Sequence, residues 1–570
     1  MRLCKCCRAA IICAGLLPGA LLSAPPEVPT SAPDVVRYMA EELQRSADRL
    51  GLPGYQAPYF ISYLLTDSWS CQISASFGAI TSRSGKPEHS RTAYVEVRVG
   101  DYEKDSSGGD DWWAPQMGVG LPIEDRWEGL RAFFWLLTDN RYKAALEGYL
   151  SRLAEEVNKV EDEEAPADFS PSDPVVLLGE HVALELDWEE QAQQLREVTA
   201  LFRDREWISG SRGYLWSYAA DRYYCSTDGV LFADGATYHY LYLTISSHAK
   251  DGAEVTSERV FSRTAIADLP STAELTTTAR QMIDELDMLR HAEEMKPYAG
   301  PAVLDWDISS VLFHEAIGHR LEGERQRDDE QGKTFSDKVG ERIIPEFLSI
   351  YDDPTLVEWD GVGLFGHYAF DDEGIAAQRA NLVENGVLRG YLLSRTPIKG
   401  FDRSNGHGRC DGMREPRARM ANIVVESSKA VSRDRLKEML LAECKRQGKP
   451  YGLFMKGVVG GHTNTNVNWF QAFSGTPRLV FRVDAETGEE TLVRGVEILG
   501  TPISAANRVV ATSDEVGVFN GFCGAESGQV PHSLVAPACL VSEIEVQRSA
   551  IDKGRPPILP PPYLDNPAAE

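Results

Sequence analysis

His314-Glu315-Ala316-Ile317-Gly318-His319, continued by Arg320-Leu321-Glu322-Gly323, is the stretch on which the reading of this chain turns. Two histidines with a glutamate directly after the first are the minimum set for a hydrolytic zinc site. Neutral imidazoles hold the metal, and the adjacent carboxylate takes the proton of the water that the metal activates. The familiar spacing sets the histidines four apart, about 40° round a helix, so both rings face one ion. Here they stand five apart, roughly 140° round an ideal helix, which would splay them. The spacing therefore predicts a local widening, such as a π-bulge, near 316–318, where Gly318 accepts irregular backbone at little cost. A catalytic zinc usually has three protein ligands and one open position. Spacing alone does not choose the third. Glu322 and Glu324 lie close downstream, and His367, His407, His462, His532, Cys410, Cys523 and Cys539 are distant candidates.

The chain around this motif is long and acidic. At 570 residues it calls for two or three domains rather than one core. Lys+Arg 58 against Asp+Glu 86 leaves a net charge of −28, which speaks against nucleic acid as a partner, since phosphate binding needs a basic surface. Residues 1–24 have the layout of a signal peptide: Arg2, Lys5 and Arg8, then an apolar run from Ala9 to Leu22, then Ser23 and Ala24. The run is too short for a stable membrane span. Export, to the periplasm or beyond, is therefore expected. A cytoplasmic location is the alternative, because Pro25 would hinder cleavage after Ala24. Residues 25–33, rich in proline, read as a linker. Six cysteines beyond the leader are scattered without a C-x-x-C pair, so no disulfide framework is expected.

The pattern along the chain predicts an α+β protein. Helical spacing marks 34–50, two stretches within 124–158, and a segment near 187–204. Residues 59–80 and 91–102 read as strands, and 206–264 as an antiparallel meander with turns at Ser209-Gly210, Asp228-Gly229 and Asp251-Gly252. A helix over 271–296 closes the N-terminal domain, 34–298, whose helices pack on an antiparallel sheet. Tyr298-Ala299-Gly300-Pro301 is expected to break regular structure at the boundary. The C-terminal domain, 299–548, opens with a short strand over 302–306 and then the metal-binding helix. It is otherwise mainly strand, with one helix over 432–446, and a Pro-rich tail fills 549–570.

Several separate runs, in order, resemble the TldD/PmbA family of zinc metallopeptidases. Besides 298–304 and 314–323 these are Asp371-Asp372-Glu373-Gly374, Glu384-Asn385-Gly386-Val387-Leu388, Arg419-Met420-Ala421-Asn422, Gly460-Gly461-His462-Thr463, and Asn520-Gly521-Phe522-Cys523-Gly524. The likeness covers about 35–545 and is weaker in the N-terminal half, where extra length lies chiefly between about 103 and 205. What the resemblance implies is one Zn2+ per chain on His314, His319 and Cys523, with Glu315 as general base. Glu322 is expected to orient a histidine. Gly460, Gly461, His462, Arg419 and Asn422 are expected near the metal or the substrate. The implied function is hydrolysis of peptide bonds in short or unfolded peptides, by a homodimer or a heterodimer with a TldD/PmbA-type sister chain. The rival reading is a non-catalytic partner or regulatory subunit whose metal is structural. An intact Glu315 argues against it, because a structural metal needs no base.

Overall fold

The computed structural model describes residues 26–107, 117–156, 165–327, 333–463, 473–500 and 502–549, with a few positions of the tail. The leader 1–24 lies outside the described residues, as does most of 549–570. No helix among the described residues is long and apolar enough to cross a membrane. The six described cysteines are free thiols.

An eight-stranded sheet organises the N-terminal half. Its order is Val119–Gly120, Glu88–Val99, Pro58–Ser76, Gly210–Ser226, Val230–His248 and Val175–Leu178, with Ala79–Arg83 and Glu254–Arg263 paired beside the long strands. Side chains alternate across a strand, and burial follows that alternation. Tyr63, Leu65, Ile73, Leu215, Leu241 and Leu243 all point to one face and are nearly inaccessible. Four helices cover that face: Asp34–Arg49 and Trp127–Glu156 over one half, Trp188–Ala200 and Thr272–His291 over the other. Thr272–His291 begins at a capping box, with Ser271 accepting from Glu274 N and the Glu274 carboxylate accepting from Ser271 N. The stretch expected to be two helices is one continuous helix, Trp127–Glu156. The residues between the two expected stretches stay helical. Thr138 donates to Phe134 O and shares a hydrogen bond with the Tyr63 hydroxyl.

A thirteen-stranded mixed sheet organises the C-terminal half. Its longest strand, Gly528–Arg548, pairs with Val509–Ala525, Tyr298–Leu304, Asn422–Ser427 and Val496–Gly500. Tyr298–Pro301, expected to break regular structure, is instead the start of a strand. Pro301 has no N–H to give, and the register shifts between Gly300 and Ala302. The strand runs into the helix Trp306–Ala316, capped by Asp305 accepting from Trp306 N. Tyr451–Thr463 lies beside Tyr298–Leu304 in parallel register. The architecture is α+β, with antiparallel pairing dominant in both sheets.

Candidate metal centre

The helix Trp306–Ala316 is almost wholly buried and delivers His314 and Glu315 on its last turn. It does not widen into a π-bulge. The α-helical ladder stops at Ala316, Ile317 takes φ −117° and ψ −53°, and a 3₁₀ turn, Gly318–Leu321, resumes beyond it. The break re-aims His319 without stretching the helix. Its cause lies elsewhere in the chain. A Cβ at position 318 would collide with Met420 Sδ and lie 3.1 Å from Ile423 Cδ1, so Met420 and the strand Asn422–Ser427 that follows it pack against a bare glycine.

Three ligand atoms converge as a result. Cys523 Sγ lies 3.3 Å from His314 Nε2 and 3.4 Å from His319 Nε2, and the donor atoms of the three residues lie within 4.8 Å of one another. All three residues are buried. Cys523 arrives on Val509–Ala525, held against Gly528–Arg548 by the pairing Cys523↔Val530. Burial raises the Cys523 thiol, but the charges of His319, Arg419 and His314 outweigh it and hold the group well below its ordinary range. Burial likewise lowers His319, yet Cys523 and Glu322 overcome it and lift the ring to about 10.

Behind the donors stands a charge-matched network. His319 Nδ1 lies 3.0 Å from Glu322 Oε1, so the carboxylate holds a proton on Nδ1, and Nε2 is the nitrogen that would give up its proton to an ion. Arg325 donates to Glu322 Oε2 at 2.7 Å and grips Glu526 with two bonds of 2.9 Å. Burial raises Glu322, but His319 and Arg325 bring its carboxyl down to about 2. Arg419, fully buried, donates to Cys523 O at 2.6 Å and to Ser527 Oγ at 2.9 Å, and its Nε pairs with Glu322 Oε1 at 3.3 Å. Arg419 thus ties the segment carrying His319 to the strand carrying Cys523.

The centre opens on a cavity of about 1130 Å³, lined by His314 and Glu315 on one side and by the first sheet on another. Gly460 and Gly461 also line it. A Cβ at Gly461 would collide with Val311 Cγ1 and lie 3.5 Å from Glu315 Oε1, so the strand Tyr451–Thr463 approaches the helix Trp306–Ala316 as closely as glycine permits. His462 follows on that strand, paired with Ser474, and its side chain lies outside the described residues. Asn422 is not at the site. Its amide donates to Asp353 O and Leu356 O in the core beneath the cavity-lining loops, which makes its role structural. Cys539 is buried in Gly528–Arg548 opposite Leu304, apart from the cluster. His407 faces Asp352 at 3.4 Å. His532, one of the open ligand candidates, stacks 4.7 Å from His314 without joining the three donors, and burial lowers it to about 3. The reading by motif missed the cavity wall that the first sheet supplies. Its signal is the alternation Tyr214-x-Trp216-x-Tyr218 and Tyr238-x-Tyr240, whose exposed face no local pattern could assign.

Comparison with known proteins bears on the C-terminal half and on the fold. Residues 297–548 match the family described as the PmbA/TldA metallopeptidase C-terminal domain. The likeness to the TldD/PmbA family thus lies in a C-terminal domain of this type. A metalloprotease of Methanocaldococcus jannaschii is 32% identical over 231 residues, 40% of this chain and 46% of that protein. A metalloprotease of Archaeoglobus fulgidus is 31% identical over 265 residues, 46% of this chain and 56% of that protein. The chain thus spans about half the length of these relatives. A zinc metalloprotease TldD homolog of Saccharolobus solfataricus is 24% identical over 328 residues, 57% of this chain and 68% of that protein. Among solved structures, TldE of Thermococcus kodakarensis has a TM-score of 0.57 at 16% identity, over 86% of this chain and 96% of that one. A proposed modulator of DNA gyrase from Bacteroides thetaiotaomicron gives 0.58 at 15% identity, over 90% and 98%. At such identities these structures show a TldD/PmbA-type fold and nothing finer.

Proposed function

We propose that this chain is a zinc-dependent peptidase in which His314, His319 and Cys523 hold the metal and Glu315 is the general base. The observation that carries the reading is the convergence of two imidazole Nε2 atoms and one low-pKa sulfur on a single point at the rim of a large cavity. The donor set fits zinc, which binds nitrogen and thiolate together. The Glu322 carboxylate supports this fit by fixing the His319 tautomer. Zinc bound there supplies Lewis acidity, making water acidic near neutral pH and polarising a carbonyl. Glu315, on the cavity side of the same helix turn as His314, accepts the proton of that water and delivers it to the leaving amine nitrogen. Arg320 donates to the Glu315 backbone carbonyl at 2.5 Å and so holds the end of the helix on which both residues sit. Short or unfolded peptides are the substrates that a cavity of this size admits. Assembly as a dimer, with a second copy or a TldD/PmbA-type sister chain, and export directed by residues 1–24 belong to the same proposal.

The test is Glu315→Gln. The variant should keep its zinc by elemental analysis while peptide cleavage falls by about 10²–10⁴-fold, the usual worth of a general base. Undiminished cleavage would discard the mechanism. A wild-type chain that binds zinc yet cleaves no peptide would support the rival, a regulatory subunit with a structural metal.

A further inference from the structure

We propose that the wall of the cavity formed by the first sheet is a side-chain subsite for a large apolar or aromatic residue of a bound peptide, which rests on the peptidase reading above. The strands Gly210–Ser226 and Val230–His248 pair as Trp216↔Tyr240, Tyr218↔Tyr238, Ala220↔Ala236 and Arg222↔Asp234. Because successive side chains alternate, these even-numbered residues share one face. The odd-numbered face is sealed by helices. Among the described residues no helix covers the even-numbered face, which lines the cavity instead.

Along this face the chemistry changes in rows. Two rows are aromatic, and the third, Ala220 and Ala236, is small and leaves depth beside the rings. The fourth is an ion pair. Arg222 donates to Asp234 at 2.8 Å and to Asp372 at 2.6 Å, so its own charge is matched and the second carboxylate leaves this end of the wall acidic. The rings form one connected set. Trp216 and Tyr218 stack at 5.4 Å, and Phe522, reaching across from the second sheet, meets Trp216 at 5.7 Å and Tyr238 at 5.8 Å, both edge-on at 76°.

Phe522 is 37% exposed although its neighbour Cys523 is buried. An aromatic left open to water inside a cavity costs free energy that closing the core would recover. The same surface gains that free energy when an incoming apolar side chain covers it. Rings that already meet edge to face offer a guest ring the geometry such pairs prefer, at centroid separations of about 4.5–7 Å. The wall is continuous with Glu315 and His314 through one cavity, so a side chain seated there belongs to a peptide that also reaches the metal centre.

The experiment compares capped pentapeptides Ala-Ala-X-Ala-Ala, with X as Phe, Leu, Ala or Asp, bound by calorimetry to zinc-replete Glu315→Gln. The Phe peptide should bind about tenfold more tightly than the Ala peptide, the size expected from burying one such side chain, with Leu between them and Asp weakest. Adding Trp216→Ala to that protein should bring the Phe and Ala affinities within about twofold of each other. Trp216→Phe should restore the preference, which a merely destabilised fold would not do. Equal affinities for Phe and Ala in Glu315→Gln, or a preference that survives both Trp216→Ala and Phe522→Ala, would overturn the proposal. The two readings fail separately. A wild-type chain that cleaves peptides without regard to X loses the subsite and keeps the peptidase. One that binds Phe selectively and cleaves nothing loses the peptidase and keeps the subsite.

Discussion

His319, Glu322, Arg325, Arg419 and Cys523 are linked by hydrogen bonds and ion pairs of 2.6–3.4 Å, whereas Trp216, Tyr218, Tyr238 and Phe522 touch mainly one another's rings. The first group is buried, charged and balanced; the second is aromatic, with Tyr238 buried and Trp216, Tyr218 and Phe522 partly open to the cavity. Charge that is buried must be paired or it unfolds the protein, so the metal wall can tolerate few changes. Apolar surface carries no such obligation, and the aromatic wall can change its shape to suit a ligand without losing the fold. On the proposed reading, chemistry falls to the C-terminal half, and selection of the substrate to the N-terminal strands together with Phe522.

The comparison breaks most visibly at Arg419. Arg419→Ala strips a buried donor from both Glu322 and the Cys523 carbonyl, and should lower stability by about 3–5 kcal/mol in urea unfolding, the range for an uncompensated buried ion pair. Trp216→Ala, on the other wall, should cost clearly less. A smaller effect follows at the histidine support. Glu322→Gln keeps the hydrogen bond to His319 but loses the charge, and zinc affinity measured by chelator competition should fall by about 10–100-fold. The smallest effect sharpens the comparison on the helix-covered face of the first sheet. There His239, bonded to Ser217 Oγ at 2.9 Å, is pushed down to about 4 by burial. Its folded pKa lies below the unfolded value of about 6.5, so the unfolded chain takes up the proton first. Its share of stability is present above about 6.5 and is lost as pH falls towards about 4. His239→Gln should flatten the fall in urea midpoint across that window.

How far these features can be read from sequence depends on whether their causes are local. His314, Glu315 and His319 announce themselves because zinc chemistry demands those residue types close together. Cys523 is different: its spacing of some two hundred residues carries no signal, and only the likeness of Asn520–Gly524 to the TldD/PmbA family singles it out. The break at Ile317 was misread as a π-bulge because its cause, Met420 packed on Gly318, lies about a hundred residues downstream. Asn422 belongs to the same short run as Arg419, yet it opens the strand Asn422–Ser427 and is buried with its amide on Asp353 O and Leu356 O. The aromatic alternation at 214–218 and 238–240 is plain in the sequence. Which face of that sheet the helices cover is a tertiary fact.

X-ray absorption at the zinc edge, on purified wild-type protein and on Cys523→Ser, tests the account most directly. Wild type should show one sulfur at about 2.3 Å beside nitrogen ligands at about 2.0–2.1 Å, and the sulfur shell should vanish in Cys523→Ser. A wild-type spectrum with no sulfur shell, or a sulfur shell that persists in the variant, would contradict it.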